Sequence, residues 1–269
     1  MEDIVLKPVG QVVSQTDNPD EMPLGGLTAV IEVYPQYAAA LKGLEENSHI
    51  WVLAWFHKAP RDILRVNPVK VNPDLPEYGV FALRAFARPN PVAMSLAKLE
   101  KIEENLLYVS GLDAVGGTPV LDIKPYYEND IVFSPDTPYI RGKDREMRQG
   151  LIKKQAIVYH QEECQDLHIA VRMAVIAEDH LGKLNSPDLN VQVKGSLCLG
   201  DCIQGISKAR LANPPRFSFC FSPDCAETKW TKDTAELIIT LREIPGNLDF
   251  ESLSDGELFI IESSSRQKM

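Results

Sequence analysis

Apolar and polar positions follow one pattern up to about residue 130 and another after residue 150. In the first stretch, apolar residues come in the short runs and alternations of β-strands. Ile4–Val13 is rich in β-branched residues and is broken by Pro8 and Gly10. Leu27–Tyr34 alternates through Val30, Ile31 and Val33. Ser48–His57 is nearly continuous, which predicts a strand buried on both faces. Gly79–Phe86, Met94–Ile102, Asn105–Asp113 and Thr118–Tyr127 come next, with turn signals at Pro89–Pro91, Glu103–Asn105 and Gly116–Gly117. Tyr37–Glu46 predicts the one helix of this half. Many short strands joined by short turns predict a small all-β antiparallel barrel.

The second stretch mixes periods. Glu162–Leu181 has helical spacing through Leu167, Val171, Ala174 and Val175, and Asp201–Leu211 predicts a shorter helix. Val191–Leu197, Arg216–Phe221, Glu236–Arg242 and Glu257–Glu262 read as strands. The expected chain is therefore multidomain. It has a barrel over 1–135, a polar linker over 136–149, an α+β module over 150–262 and a disordered tail over 263–269.

Charge narrows the partners. The chain has 269 residues and a formal net charge of −10. Residues 1–130 hold 11 Lys and Arg against 18 Asp and Glu, a balance of −7. That disfavours a nonspecific grip on nucleic acid, which needs phosphate neutralisation. The longest apolar runs are too short to span a bilayer, so no membrane partner is expected. The acidic opening Met1-Glu2-Asp3 lacks the basic and apolar regions of a signal peptide, which gives a cytoplasmic chain as the expectation. The five cysteines all lie after residue 160, so an extracellular disulfide framework is not expected either.

Two segments carry candidate chemistry in the first half. In Gly79–Ser95, Arg84 and Arg88 are four residues apart and share a face if the strand continues. Pro89 and Pro91 stiffen the chain on the C-terminal side of Arg88. The expected product is a rigid loop presenting two guanidinium groups and the Asn90 amide to an anionic ligand; a rigid turn with surface arginines has the same sequence. In Leu107–Tyr126, a hairpin turning at Ala114–Gly117 is expected. Its Gly116-Gly117 pair allows close approach of a ligand to the backbone. Asp122 and Lys124 alternate with Leu121 and Ile123 and share one face, as functional groups or as an ordinary exposed ion pair.

The run Gly43–Lys58, with Gly79-Val-Phe-Ala-Leu-Arg84, Arg88-Pro-Asn-Pro91 and Gly111-Leu-Asp113 through Gly117-Thr-Pro-Val-Leu-Asp-Ile-Lys-Pro-Tyr126, resembles the TrmO/TsaA-like family. The resemblance implies a small β-barrel, usually a homodimer, that binds S-adenosylmethionine in loops near the subunit interface. The activity it implies is N6-methylation of threonylcarbamoyladenosine beside the tRNA anticodon. It implies ligand contacts at His57, Lys58, Arg84, Met94 and the turn of Ala114, Val115, Gly116 and Gly117, to which Arg88 and Asn90 are added from the loop reading. Leu83 and Ala87 stand where the family commonly has Thr and His. For the transfer itself, Asp122 is the candidate base or orienter, Lys124 the carboxylate contact and Tyr126 the stacking or hydrogen-bonding group.

The second half is weakly similar to the FmdE-like family, through His160 and Cys164 before one helix and Cys198, Asp201 and Gln204 around another. Cys198 and Cys202 are four apart, hence on one helical face. His160, Cys164, Cys198 and Cys202 are candidate metal ligands, with zinc the candidate ion. The same cysteines also read as small buried hydrophobes. His49 and His168 read as structural. Three functions are consistent with these features: a tRNA-modifying methyltransferase, a methyltransferase for a small molecule or metal-bound ligand recognised by the C-terminal domain, and a non-catalytic S-adenosylmethionine sensor.

Overall fold

The computed structural model describes residues 4–243 and 250–265. The chain divides into two compact units, Met1–Asn67 with Pro76–Ile131, and Pro68–Leu75 with Val132–Met269.

The first unit is a closed antiparallel barrel. Its strands are β1 (Gly10–Val13), β2 (Leu27–Val33) and β3 (His49–Trp55). The short pair β4 (Arg65–Val66) and β5 (Tyr78–Gly79) lies outside it, and β6 (Val92–Glu103), β7 (Leu106–Leu112) and β8 (Pro119–Pro125) complete it. The order around the wall is β1-β2-β7-β6-β3-β8. The period-two alternation sends one residue in two inward. Val12, Ile31, Ile50, Val52, Leu107, Val109 and Val120 fill the interior, each at most 1% exposed. Ala97, the register partner of Ile50 on β6, is fully buried beside it.

Several expectations change here. β3 is buried on one face only: Ile50, Val52 and Ala54 point in, while Trp51, Leu53 and Trp55 are half-buried on the outer wall. Tyr37–Glu46 is not an α-helix but lies in two 3-10 segments, Pro35–Leu41 and Leu44–Glu46, divided by Gly43 at φ +85°. The expected strand Gly79–Phe86 ends at Gly79 and gives way to turns. Residues 107–126 form no hairpin. β7 pairs with β2 and β6, whereas β8 pairs with β3 and β1, so the segment after Leu112 crosses to the other side of the wall.

The second unit is a five-stranded sheet with packed helices. Helix α1 (Arg145–His160) and α2 (Gln165–Leu181) precede β9 (Leu189–Gly195), α3 (Leu197–Ser207) and β10 (Phe217–Phe221). Then come β11 (Glu227–Lys232), β12 (Ala235–Leu241), the short α4 (Asp255–Leu258) and β13 (Phe259–Ser265). The sheet order is β10-β9-β11-β12-β13, and only β10 and β9 run parallel. α2 is the core helix, with every residue from Met173 to Ala177 buried. Its neighbours include Trp230, whose indole N–H donates to Thr228 Oγ1 at 2.9 Å inside the core.

Sequence periodicity missed α1 because it buries only Ile152 and Ala156; its first turn, capped by Asp144, occupies the end of the expected 136–149 linker. α3 starts four residues earlier than expected, where Ser196 Oγ accepts from the Leu199 N–H at 3.0 Å. The expected tail 263–269 is strand through Ser265, and Arg266–Met269 lie outside the described residues. No described helix is long and apolar enough to cross a membrane.

The alternation on β3 makes a testable contrast. Ile50→Ala should cost about 2–5 kcal/mol by opening a cavity in the barrel, and Leu53→Ala on the outer wall less than half of that. Urea unfolding of both variants checks this; equal losses would mean that the strand is buried on both faces.

Candidate functional site

The outer face of β8, β3 and β6 brings together Asp122, Lys124 and Met94. Register places Asp122 opposite Leu53, and Leu53 opposite Met94. The next row is Lys124, Trp51 and Leu96. With strands about 4.8 Å apart, Asp122 and Met94 stand roughly 10 Å from each other across the wall. Lys124 Nζ lies 2.7 Å from Asp122 Oδ2, with both side chains about half exposed. Such a pair stabilises a fold by less than about 1 kcal/mol, so the fold does not depend on it. Tyr126 packs against Trp51 with ring centroids 5.9 Å apart, and Trp51 Nε1 donates to Asp130 at 3.2 Å.

His57 and Lys58 lie just past the end of β3. Partial burial, then the neighbouring ammonium of Lys58, hold the His57 pKa below its ordinary value and favour the neutral ring. Lys58 Nζ donates to the Asp17 carbonyl at 2.6 Å. Asp17 also lies against the Gly116 backbone: a Cβ there would stand 2.3 Å from its Oδ1. Lys58 and the Gly116-Gly117 turn thus meet through residue 17, in a segment that sequence reading left unassigned.

The turn itself differs from expectation. Ala114 and Val115 are buried. The N–H groups of Gly116 and Gly117 donate to the carbonyls of Thr16 and Val12, at 2.9 and 2.8 Å. These two amides hold the crossing segment onto the barrel and are not free for a ligand.

The arginine loop divides likewise. Arg88 folds back and donates to the carbonyls of Ala85, Val80 and Leu83, at 2.8, 2.9 and 2.6 Å. It shapes the loop from inside and presents no guanidinium to a ligand. Arg84 and Asn90 are exposed. Sequence reading missed Trp51, Trp55 and Arg61, whose guanidinium carbon sits 5.1 Å from the Trp55 ring. The apolar run that contains both tryptophans was the available signal, taken for a core strand.

In the second unit, ligand atoms of His160, Cys164 and Cys198 lie within 4.8 Å of one another. His160 ends α1, Cys164 caps the start of α2 and Cys198 lies in the first turn of α3. His160 Nδ1 is 2.7 Å from Asp201 Oδ2, and its Nε2 is 3.5 Å from Cys164 Sγ. Cys202 does not join them: it is fully buried, and burial pushes its thiol up to about 12. The three grouped residues could hold a metal ion. Cys220 and Cys225 are free and outside this group.

Comparison with known proteins bears on the first unit most strongly. Residues 13–130 match the family model for the tRNA-methyltransferase O N-terminal domain. A probable S-adenosyl-L-methionine-binding protein of Methanothermobacter thermautotrophicus is 44% identical over 131 residues, 47% of this chain and 93% of the relative. The chain belongs to the TrmO-like family. A probable S-adenosyl-L-methionine-binding protein of Archaeoglobus fulgidus is 33% identical over 221 residues, 78% of this chain, so that match runs on into the second unit. This chain spans 60% of that relative's length. A tRNA (adenine(37)-N6)-methyltransferase of Mus musculus is 48% identical over 89 residues, 32% of this chain and 20% of the relative. A crystal structure of TrmO from Pseudomonas aeruginosa aligns with a TM-score of 0.44 and 33% identity, over 53% of this chain and 65% of that one.

The split between the two arginines is testable. Arg88→Ala leaves three carbonyls without their charged donor and should cost about 1.5–3 kcal/mol, with faster hydrogen exchange across residues 80–88. Arg84→Ala should leave both thermal unfolding and exchange unchanged. Equal effects of the two substitutions would contradict the inward role of Arg88.

Proposed function

We propose that the chain is an S-adenosylmethionine-dependent methyltransferase whose barrel binds the cofactor beside the outer face of β8, β3 and β6. The observation that carries this reading is the continuous family match over the barrel, which includes every residue of that face. The methyl acceptor we propose is N6 of threonylcarbamoyladenosine in tRNA, supported by the name of the mouse relative.

Bound S-adenosylmethionine supplies an electrophilic methyl group on sulfur; as the new N–C bond forms, the S–C bond breaks and the acceptor nitrogen loses its proton. Asp122 takes that proton or orients the nitrogen, and Lys124 contacts a carboxylate of the substrate or cofactor. Tyr126 and Trp51 offer a ring surface for a base. Met94, 49% exposed, and Leu96, 39% exposed, extend an apolar surface that suits a homodimer contact next to the cofactor. Arg84, His57 and Lys58 supply polar contacts at its edge. The proposed compartment is the cytoplasm.

A second reading is favoured by the balance of −7 over residues 1–130. In it the acceptor is a small molecule or metal-bound ligand that the C-terminal unit recognises.

Calorimetry of the full chain with S-adenosylmethionine should show saturable binding. Asp122→Asn should hold the affinity within a few-fold and lower methyl transfer by about 10²-fold or more, the range of a lost general base. Transfer is read by mass spectrometry of tRNA lacking the modification. Absence of binding at millimolar cofactor overturns the cofactor assignment, whereas binding without any methylated nucleoside overturns only the tRNA acceptor.

A further inference from the structure

We propose that His160, Cys164 and Cys198 hold a zinc ion whose fourth position is open to an exogenous thiol. The three donors come from three different helices, yet their ligand atoms cluster within 4.8 Å. Tetrahedral zinc with Zn–S near 2.3 Å and Zn–N near 2.0–2.1 Å sets neighbouring ligands roughly 3.5 Å apart. The observed separation of Cys164 Sγ from His160 Nε2 is 3.5 Å.

The imidazole is already oriented for this. Asp201 engages Nδ1 at 2.7 Å, which leaves Nε2 to face the sulfur. Carboxylate–histidine–metal arrangements use this geometry to fix the ring and its tautomer. A histidine that merely filled core space would have no need of a carboxylate on one nitrogen and a thiol on the other.

The ligand count decides the kind of site. A structural zinc is closed by four protein ligands, whereas three leave a position for substrate. Cys202, one helical turn after Cys198, is 0% exposed in the hydrophobic core and outside the cluster. Asp201 is held by the histidine. Among the described residues no fourth His, Cys, Asp or Glu joins the three, and the proposed open position takes a ligand from outside the chain.

The donors set the chemistry of that ligand. Two thiolates cancel the ion's charge and make an electron-rich, soft centre. Such a centre polarises water less than zinc on neutral imidazoles does, and it accepts a soft sulfur ligand readily. A thiol entering this position forms a Zn–S bond and releases its proton to solvent, so it is held as thiolate at neutral pH.

Metal analysis of the purified full chain tests the site directly. One zinc per chain is expected, retained by Cys202→Ala and lost by Cys164→Ser and Cys198→Ser, with circular dichroism confirming that each variant is folded. Asp201→Asn should weaken zinc about 10–100-fold without changing stoichiometry. In the cobalt-substituted chain, 2-mercaptoethanol should add thiolate-to-cobalt absorption in a saturable manner. A wild-type chain that neither carries zinc nor takes up cobalt overturns the site. Loss of metal in Cys202→Ala overturns the open position, and a cobalt spectrum indifferent to the thiol overturns the ligand.

Discussion

The register of β3 governs the barrel. With Ile50 and Val52 in the interior, Trp51 and Leu53 are forced to the outer wall, because side chains alternate strictly along a strand. The partners of β3 inherit this choice: Met94 and Leu96 on one side, Asp122 and Lys124 on the other. A slip of one residue would bring the Asp122–Lys124 pair into contact with the apolar core, at a desolvation cost far above what their mutual attraction returns. Hydrophobic packing inside thus fixes the chemistry outside, and the candidate site needs no dedicated scaffold.

The second unit solves a different problem. Its core helix is buried nearly all round, so polar groups concentrate at helix ends, where the chain leaves the core. His160, Cys164 and Cys198 occupy three such ends. Ser196 caps α3 and at the same time donates to Asp166 in the first turn of α2 at 2.6 Å. That link fixes the two helix starts against one another, and with them the two cysteines.

Strand existence was legible in the sequence wherever β-branched residues recur at strand spacing, as in β2. Topology was not. Nothing local in Leu107–Tyr126 distinguishes a hairpin from a crossing segment, since both need the flexible Gly116-Gly117 pair; the difference lies in the carbonyls of Val12 and Thr16, a hundred residues away. Arg88 was misread for a related reason. Proline-stiffened loops and arginines do suit anions, but here the nearest acceptors were the loop's own carbonyls. β3 shows the converse limit: a wall apolar on both sides reads as doubly buried until closure of the barrel shows which side is inside. His160, Cys164 and Cys198 were picked out through short motifs near helix ends, and the structure brings their ligand atoms within 4.8 Å; that Cys202 stays outside the group is a matter of burial in the core, which the motif does not show.

Pairing of β1 with β8 has a consequence for the nascent chain. Gly10 sits beside Val120, so the seam of the barrel joins residues at opposite ends of the domain. A chain emerging from the ribosome has made β1 and β2 long before the strand that closes the seam exists. Until then the free edge of β1 stays unpaired, the kind of edge that recruits wrong partners. Contacts of such long sequence separation are also the slow ones to form. The barrel can therefore close only after β8 has been made, in whatever order its other strands pair.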